Sequence, residues 1–290
     1  MTNSAWVKLT ILLEMIKFSH TVFAFPFALM GMLLASLASG IAPTFAQVFW
    51  ICLAMVGART GAMGLNRIID ARIDADNPRT AERHLPAGKV AMGEAWLLVL
   101  GAFALLLLAA WMLNPLCLKL APVAIFFLVL YSYCKRFTSM AHVVLGICLA
   151  AAPIGAWIAL RGDVGWPVIV LGLAVLFWVA GFDIFYALQD YEFDRDKGLF
   201  SIPSRFGVER SFLIARWFHV VMVSLLLLLV FSEGLGLIYL LGVMVVAGLL
   251  IYEHLLVRPD DLTRLDAAFF NMNGYISVTI FLFTLADVLI

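Results

Sequence analysis

Charge is what this sequence has least of. Only 13% of its 290 residues are Asp, Glu, Lys or Arg, against about 25% in soluble domains. The 19 basic and 19 acidic residues cancel, which removes the strong basic field that nucleic-acid binding relies on. Cysteine is scarce too. Cys52, Cys117, Cys134 and Cys148 lie in or beside apolar runs with no metal-ligand spacing. They read as small apolar side chains, not as a disulfide or zinc framework. No ten-residue stretch alternates apolar with polar, as a membrane β-barrel requires. His20, His84, His142, His219 and His254 show no spacing that pairs them for metal or acid–base work, and they read as ordinary residues. The pattern of a cleaved signal is missing as well. Residues 5–19 mix apolar positions with Lys8, Glu14 and Lys17, which fits an amphipathic surface helix.

What is present is hydrophobic length. Apolar residues make up 64% of the chain, in runs that reach the ~20 residues a helix needs to cross a bilayer. Lipid offers the backbone no hydrogen bonds, so helices are expected. The reading is an all-α polytopic membrane protein, a single domain of nine spans around a central cavity. The spans fall near 21–39, 43–65, 95–113, 116–133, 140–160, 166–188, 212–231, 235–252 and 268–289. Pro43, Pro115 and Pro167 stand near helix starts, where proline is tolerated. Pro26, Pro122 and Pro153 lie inside spans and are candidates for kinks.

The basic residues set the orientation. Sixteen of the nineteen fall in the N-terminal segment, after the second, fourth, sixth and eighth spans, or, as Arg216, in the first turns of the seventh. The opposite face holds only Lys119 and Arg161, and Arg59 lies within a span. By the positive-inside rule the N-terminus is cytoplasmic and the C-terminus lies on the other side. An integral protein of a bacterial inner membrane is expected.

The scarce charges cluster. Asn66, Asp70 and Asp74 recur every fourth residue at the end of the second span, so a helix places them on one face. Three oxygen-bearing side chains in a row suit Mg²⁺, which shares its oxygen ligands with substrate phosphates. The helix rise sets Asn66 and Asp74 about 12 Å apart. With bonds of about 2.1 Å one ion cannot be held directly by both, so Asp74 acts through water or a second ion is present. Asp190, Asp194 and Asp196 repeat the spacing of Asp70, Asp74 and Asp76 at a constant offset (190 − 70 = 120). A parallel duplication, with motifs at 66–88 and 183–207, would explain it.

Two charges lie deeper. Arg59 precedes Asn66 by seven residues and Asp183 precedes Asp190 by seven, each on its own helical face, where ionisable groups line a cavity or pair. Tyr131, Lys135 and Arg136 close the fourth span on the same membrane face as both acid clusters; Lys135 and Arg136, routine positive-inside anchors on their own, are there candidate phosphate contacts. Acids that hold Mg²⁺, with bases beside them and an apolar bundle behind, describe a site for a diphosphate with a lipid tail. The matching chemistry is ionisation of an allylic diphosphate and alkylation of an acceptor where water is excluded.

Asn66-x-x-x-Asp70-x-x-x-Asp74, then Asn77-Pro78-Arg79-Thr80 and Arg83-x-x-Pro86-x-Gly88, resembles the first motif of the UbiA-type membrane prenyltransferases. Tyr186-x-x-Gln189-Asp190-x-x-x-Asp194-x-x-x-Gly198-x-x-Ser201-x-Pro203 resembles their second. The opening Ile16-Lys17-Phe18-Ser19-His20-Thr21 and the Leu85-Pro86-Ala87-Gly88 form of the first motif look most like the 4-hydroxybenzoate polyprenyltransferase-like branch. That resemblance implies transfer of a polyprenyl group from its diphosphate to an aromatic acid, with two Mg²⁺ ions, in quinone synthesis. Carried over by motif, Asn66, Asp70 and Asp74 serve one ion and Asp190 with Asp194 the other. Arg79, Arg83 and Lys135 contact the diphosphate, and Arg59, Asp183 and Tyr131 face the acceptor. Asp70, Asp190, Asp194 and Lys135 are the expected catalytic residues. The second motif carries Tyr191-Glu192-Phe193 in place of the run of acids found in some ubiquinone-type members. A naphthoate-type menaquinone precursor or haem are therefore rival acceptors. An ion-coupled transporter is the rival class, but it would keep its charges near mid-membrane in an inverted repeat.

Overall fold

The computed structural model describes residues 2–16, 24–257, 265 and 271–290. Among these every regular element is helical. The helices are α1 (Thr2–Met15), α2 (Phe25–Ser39), α3 (Phe45–Asp76), α4 (Met92–Leu113), α5 (Pro115–Cys134), α6 (Ala141–Arg161), α7 (Trp166–Ala187), α8 (Tyr191–Asp196), α9 (Ile202–Phe206), α10 (Val208–Glu233), α11 (Leu237–Leu256) and α12 (Asn273–Leu289). Seven stretches are long and apolar enough to span a bilayer: α3 to α6, α7 with α8, α10 and α11. The shorter apolar helices α2 and α12 correspond to the first and last expected spans, whose opening residues lie outside those described. The class is as expected: an all-helical integral membrane protein. Pro26 sits in the first turn of α2 instead of inside a span, and a first-turn proline interrupts no helical hydrogen bond. Pro122 and Pro153 do lie within helices.

The chain forms two compact units, Met1–Thr21 with Val48–Tyr133, and Val22–Gln47 with Cys134–Ile290. In the first unit, α3 crosses α4 through small residues. A Cβ on Gly57 would stand 2.7 Å from the Ala102 carbonyl, and one on Gly61 2.4 Å from the Phe103 ring. The apolar side of α1 packs on protein. Met15 and Ile16, with Ile11 and Leu12, pack with Met63, Ile68, Leu85, Val90, Ala95 and Leu98. The surface helix read from the sequence is therefore docked on its own unit.

The second unit is built on α7, which is buried nearly all round and packs against α6 on one side and α10 on another. A largely apolar helix whose backbone polar atoms bond within the helix can be enclosed in this way. Phe27, Trp178 and Phe182 stack in succession with centroids 5.0 Å apart at each step. Gly146 lets α6 approach α7, since a Cβ there would meet the Leu176 carbonyl at 2.5 Å. At the far end Asp287 of α12 accepts from the backbone N–H groups of Gly236 and Tyr239, at 2.6 and 3.1 Å. It thereby satisfies donors that the first turn of α11 would otherwise leave open.

Candidate functional site

In the first unit, α3 continues past its apolar portion to Asp76, and its last three turns carry the acids. Asp70 and Asp74 are buried, at 4% and 6% exposure, whereas Asp76 is exposed. The Asn66 amide donates to Asp70 Oδ2 at 2.9 Å. One Arg83 nitrogen donates to both oxygens of Asp74, at 2.7 and 2.8 Å. Buried Arg67 stands 4.0 Å from Asp74, and its Nε donates to the Met15 carbonyl at 3.4 Å. The connection to α4 folds back over this helix end. The Thr80 hydroxyl donates to the Asp74 carbonyl at 3.0 Å, and Asn77 Oδ1 accepts from the Arg79 backbone at 3.0 Å. Arg79 itself is exposed. Deeper in α3, Arg59 Nε is buried with no hydrogen-bond partner, and Tyr131 of α5 is close enough to interact with its charge.

In the second unit, α7 tightens into one 3₁₀ turn at Leu188–Asp190 and continues as α8. Asp190 and Asp194 are buried, at 7% and 2% exposure. Glu192 and Arg195 pair on the outside at 3.2 Å, and Asp196 is exposed. Lys135, Asp190, Ser201 and His142 all lie near enough to Asp194 to act on its charge. Gly198, at φ +66°, turns the chain back, as a residue without Cβ readily does. The Leu199 N–H then reaches the Asp194 carbonyl and the Phe200 N–H reaches the Lys135 carbonyl, each at 2.8 Å. Asp183 Oδ2 stands 2.7 Å from His142 Nδ1.

The structure thus gathers Asn66, Asp70, Asp74 and Arg83 in one cluster and Lys135, Asp190 and Asp194 in another. Arg59 and Tyr131 fall together in the first unit, and Asp183 belongs to the second, engaged by His142. The reading of the histidines as unpaired is corrected. His142 pairs with Asp183, His219 Nδ1 stands 3.0 Å from His254 Nε2, and His84 Nε2 stands 3.7 Å from Glu14. The first two pairs join residues 41 and 35 positions apart, so no local spacing announces them. Arg67 carries no signal of its role in the sequence, and Ser201 figures there only as a motif position, because each matters through the acid it meets. His20 and the rest of the stretch 17–21 lie outside the described residues.

Among the described residues no three His, Cys, Asp or Glu side chains close into a metal cage. Each of the two clusters instead offers two buried carboxylates, with the Asn66 side chain beside one pair. Hard oxygen donors in an incomplete set fit Mg²⁺, which keeps positions for water and substrate phosphate.

The UbiA prenyltransferase family profile matches residues 24–275. The 4-hydroxybenzoate octaprenyltransferase of Vibrio campbellii is 31% identical over 224 residues, 77% of this chain and 78% of its own. That of Nitrosospira multiformis is 32% identical over 241 residues, 82% and 81% of the two chains. Among solved structures, the apo form of a UbiA homolog from Aeropyrum pernix K1 matches with TM-score 0.84 at 32% identity, over 93% of this chain and 98% of its own. A UbiA homolog from Archaeoglobus fulgidus bound to DMAPP and Mg²⁺ matches with TM-score 0.70 at 20% identity, over 96% and 99%, a likeness of fold.

Proposed function

The chain belongs to the UbiA prenyltransferase family, and from that premise we propose that it transfers a polyprenyl group from its diphosphate to an aromatic acid of the 4-hydroxybenzoate kind, in quinone synthesis. The observation that carries this reading is a burial pattern shared by the two motifs. In each, the carboxylates four residues apart are enclosed (Asp70 with Asp74, Asp190 with Asp194), and the acid two residues further on, Asp76 or Asp196, is left in the open. A solvated helix end would show no such selection. Burying a carboxylate is costly unless something compensates it; Arg83 does so for Asp74 and Lys135 in part for Asp194, and Mg²⁺ would do so for each pair as a whole. The names of the curated relatives support the acceptor class.

In this reading Asn66, Asp70 and Asp74 hold one ion, and Asp190 with Asp194 a second. What Mg²⁺ adds when bound is positive charge against the departing diphosphate. The rest is done by the chain. Lys135, near enough to Asp194 to act on its charge, is proposed as a diphosphate contact, as are Arg79 and Arg83. Arg83 is held by Asp74, and it would be free to bind diphosphate if that carboxylate held the ion instead. The allylic C–O bond breaks and diphosphate leaves with the electron pair. A ring carbon of the acceptor forms the new C–C bond and then loses its proton. Arg59 supplies the acceptor contact. Its buried Nε lacks a partner, and a planar guanidinium suits an aromatic carboxylate. Tyr131 stands beside it, and Asp183 completes the proposed acceptor set. Apolar helices exclude the water that would otherwise quench the cation.

The test is purified protein in lipid nanodiscs with Mg²⁺, radiolabelled prenyl diphosphate and a panel of aromatic acids. A prenylated product with 4-hydroxybenzoate is expected. A product that forms only with a naphthoate or a porphyrin would overturn the acceptor assignment.

A further inference from the structure

We propose that His142 is a positioning residue. As a neutral imidazole with its proton fixed on Nδ1, it fastens Asp183 and the 199–202 loop to the segment that carries Lys135. The proposal rests on the prenyltransferase reading for its kinetic arm only.

The tautomer follows from the partners. The backbone N–H of Ile202 donates to His142 Nε2 at 3.3 Å. A backbone N–H can only donate, so Nε2 must offer a lone pair. The single ring proton then lies on Nδ1, where it donates to Asp183 Oδ2 at 2.7 Å. An imidazolium would set N–H against N–H at Ile202, and the other tautomer would lose both bonds. His142 is 3% exposed, so water cannot easily take over either role.

Three segments distant in sequence meet at this ring. One is the turn from Lys135 into α6, which His142 opens at its second position. The second is Asp183 on α7. The third is the loop after Asp194, whose backbone donors are all in use. Leu199 bonds the Asp194 carbonyl and Phe200 the Lys135 carbonyl. Ser201 donates to Ser204 Oγ at 2.8 Å, and Ile202 donates to His142. Two of these four bonds tie the acid loop to the 135–142 segment. One sets the height of Lys135, and the other passes through a side chain. His142 is close enough to act on the Asp194 charge, but its ring nitrogens are engaged elsewhere. A group so placed holds the site in register without touching substrate.

A satisfied buried histidine with no functional consequence predicts something different, and two variants separate the cases. Glutamine carries one donor and one acceptor on a single planar group and does not ionise, so His142→Gln can keep both bonds. Leucine keeps neither. His142→Leu should lower kcat at least tenfold and raise the KM for the aromatic acid, whose proposed contact Asp183 it releases. His142→Gln should recover kcat to within threefold of the parent. Equal losses in the two variants would show that ionisation of the ring matters, and overturn the proposal. A folded His142→Leu with parental kcat would overturn it too.

A second measurement needs no activity. In ring-¹⁵N histidine NMR of the parent protein near neutral pH, one buried histidine should show a protonated Nδ1 and a bare Nε2. The His142→Gln spectrum identifies the signal by its loss. An imidazolium or a protonated Nε2 at His142 overturns the proposal. If no acceptor is prenylated at all, the functional reading fails, and the tautomer still stands or falls on this spectrum.

Discussion

At the scale of single residues, the acids were legible and their partners were not. Asp70, Asp74, Asp190 and Asp194 announce themselves because a spacing of four on a helix is a geometric statement that needs no tertiary structure. His142 and Arg67 were invisible for the opposite reason. A histidine becomes informative only when Asp183 and Ile202 close on it, and nothing within a few residues of it encodes that. Two predictions belong here. Asp70→Asn or Asp190→Asn should abolish prenyl transfer while leaving a folded, monodisperse protein in detergent, and EDTA should do the same to the parent. Turnover that survives EDTA would remove the two-ion reading. Arg59→Lys should raise the KM for the aromatic acid about tenfold, in line with the ~1.5–3 kcal/mol of a charged hydrogen bond. The KM for prenyl diphosphate should barely move. If both rise together, Arg59 does not bind the acceptor.

At the scale of elements, the apolar runs gave the spans to within a few residues at most ends. They could not give the crossings, because which face of a uniformly apolar helix meets a neighbour depends on shape and not on hydropathy. Gly146 shows this. Nothing in its surroundings in sequence separates it from Gly155, yet a Cβ on Gly146 meets the Leu176 backbone at 2.5 Å, and one on Gly155 meets nothing within 4 Å. Gly146→Ala should therefore destabilise by about 1–3 kcal/mol, the usual cost of overpacking. Gly155→Ala should be neutral or slightly stabilising, since alanine is the better helix former. Thermal melting of the two variants in one detergent checks the contrast. Asp287 is a second case. It stands within an apolar stretch near the end of the chain and reads as a stray charge, but it caps α11. Asp287→Ala should cost roughly 1 kcal/mol, as loss of an N-cap does.

At the scale of the whole molecule, the sequence pattern makes a claim about sidedness that only a membrane can test. The basic residues divide sixteen to two between the expected faces, and by the positive-inside rule the Asn77–Gly88 connection is expected in the cytoplasm. In a chain whose four cysteines have been replaced, a single cysteine in that connection should resist an impermeant thiol reagent added to intact cells. A cysteine at Gly162, in the turn after α6, should react. The opposite labelling would put the proposed site on the outer face.

The docking of α1 also fixes an order of events in biogenesis. Ile11, Leu12, Met15 and Ile16 find their partners partly in Leu85, Val90, Ala95 and Leu98. Those residues leave the ribosome some 70 positions later, several seconds at ~5–20 residues per second. In that interval the apolar side of α1 has no protein to cover it, and the bilayer surface is the available shelter. The pattern that made α1 look like a surface helix is then the record of a waiting state. A photo-crosslinker at Leu12 should label lipid in nascent chains stalled before Val90, and protein once Leu98 has emerged. Arg67, which meets both the Met15 carbonyl and Asp74, links that docking to the first acid cluster.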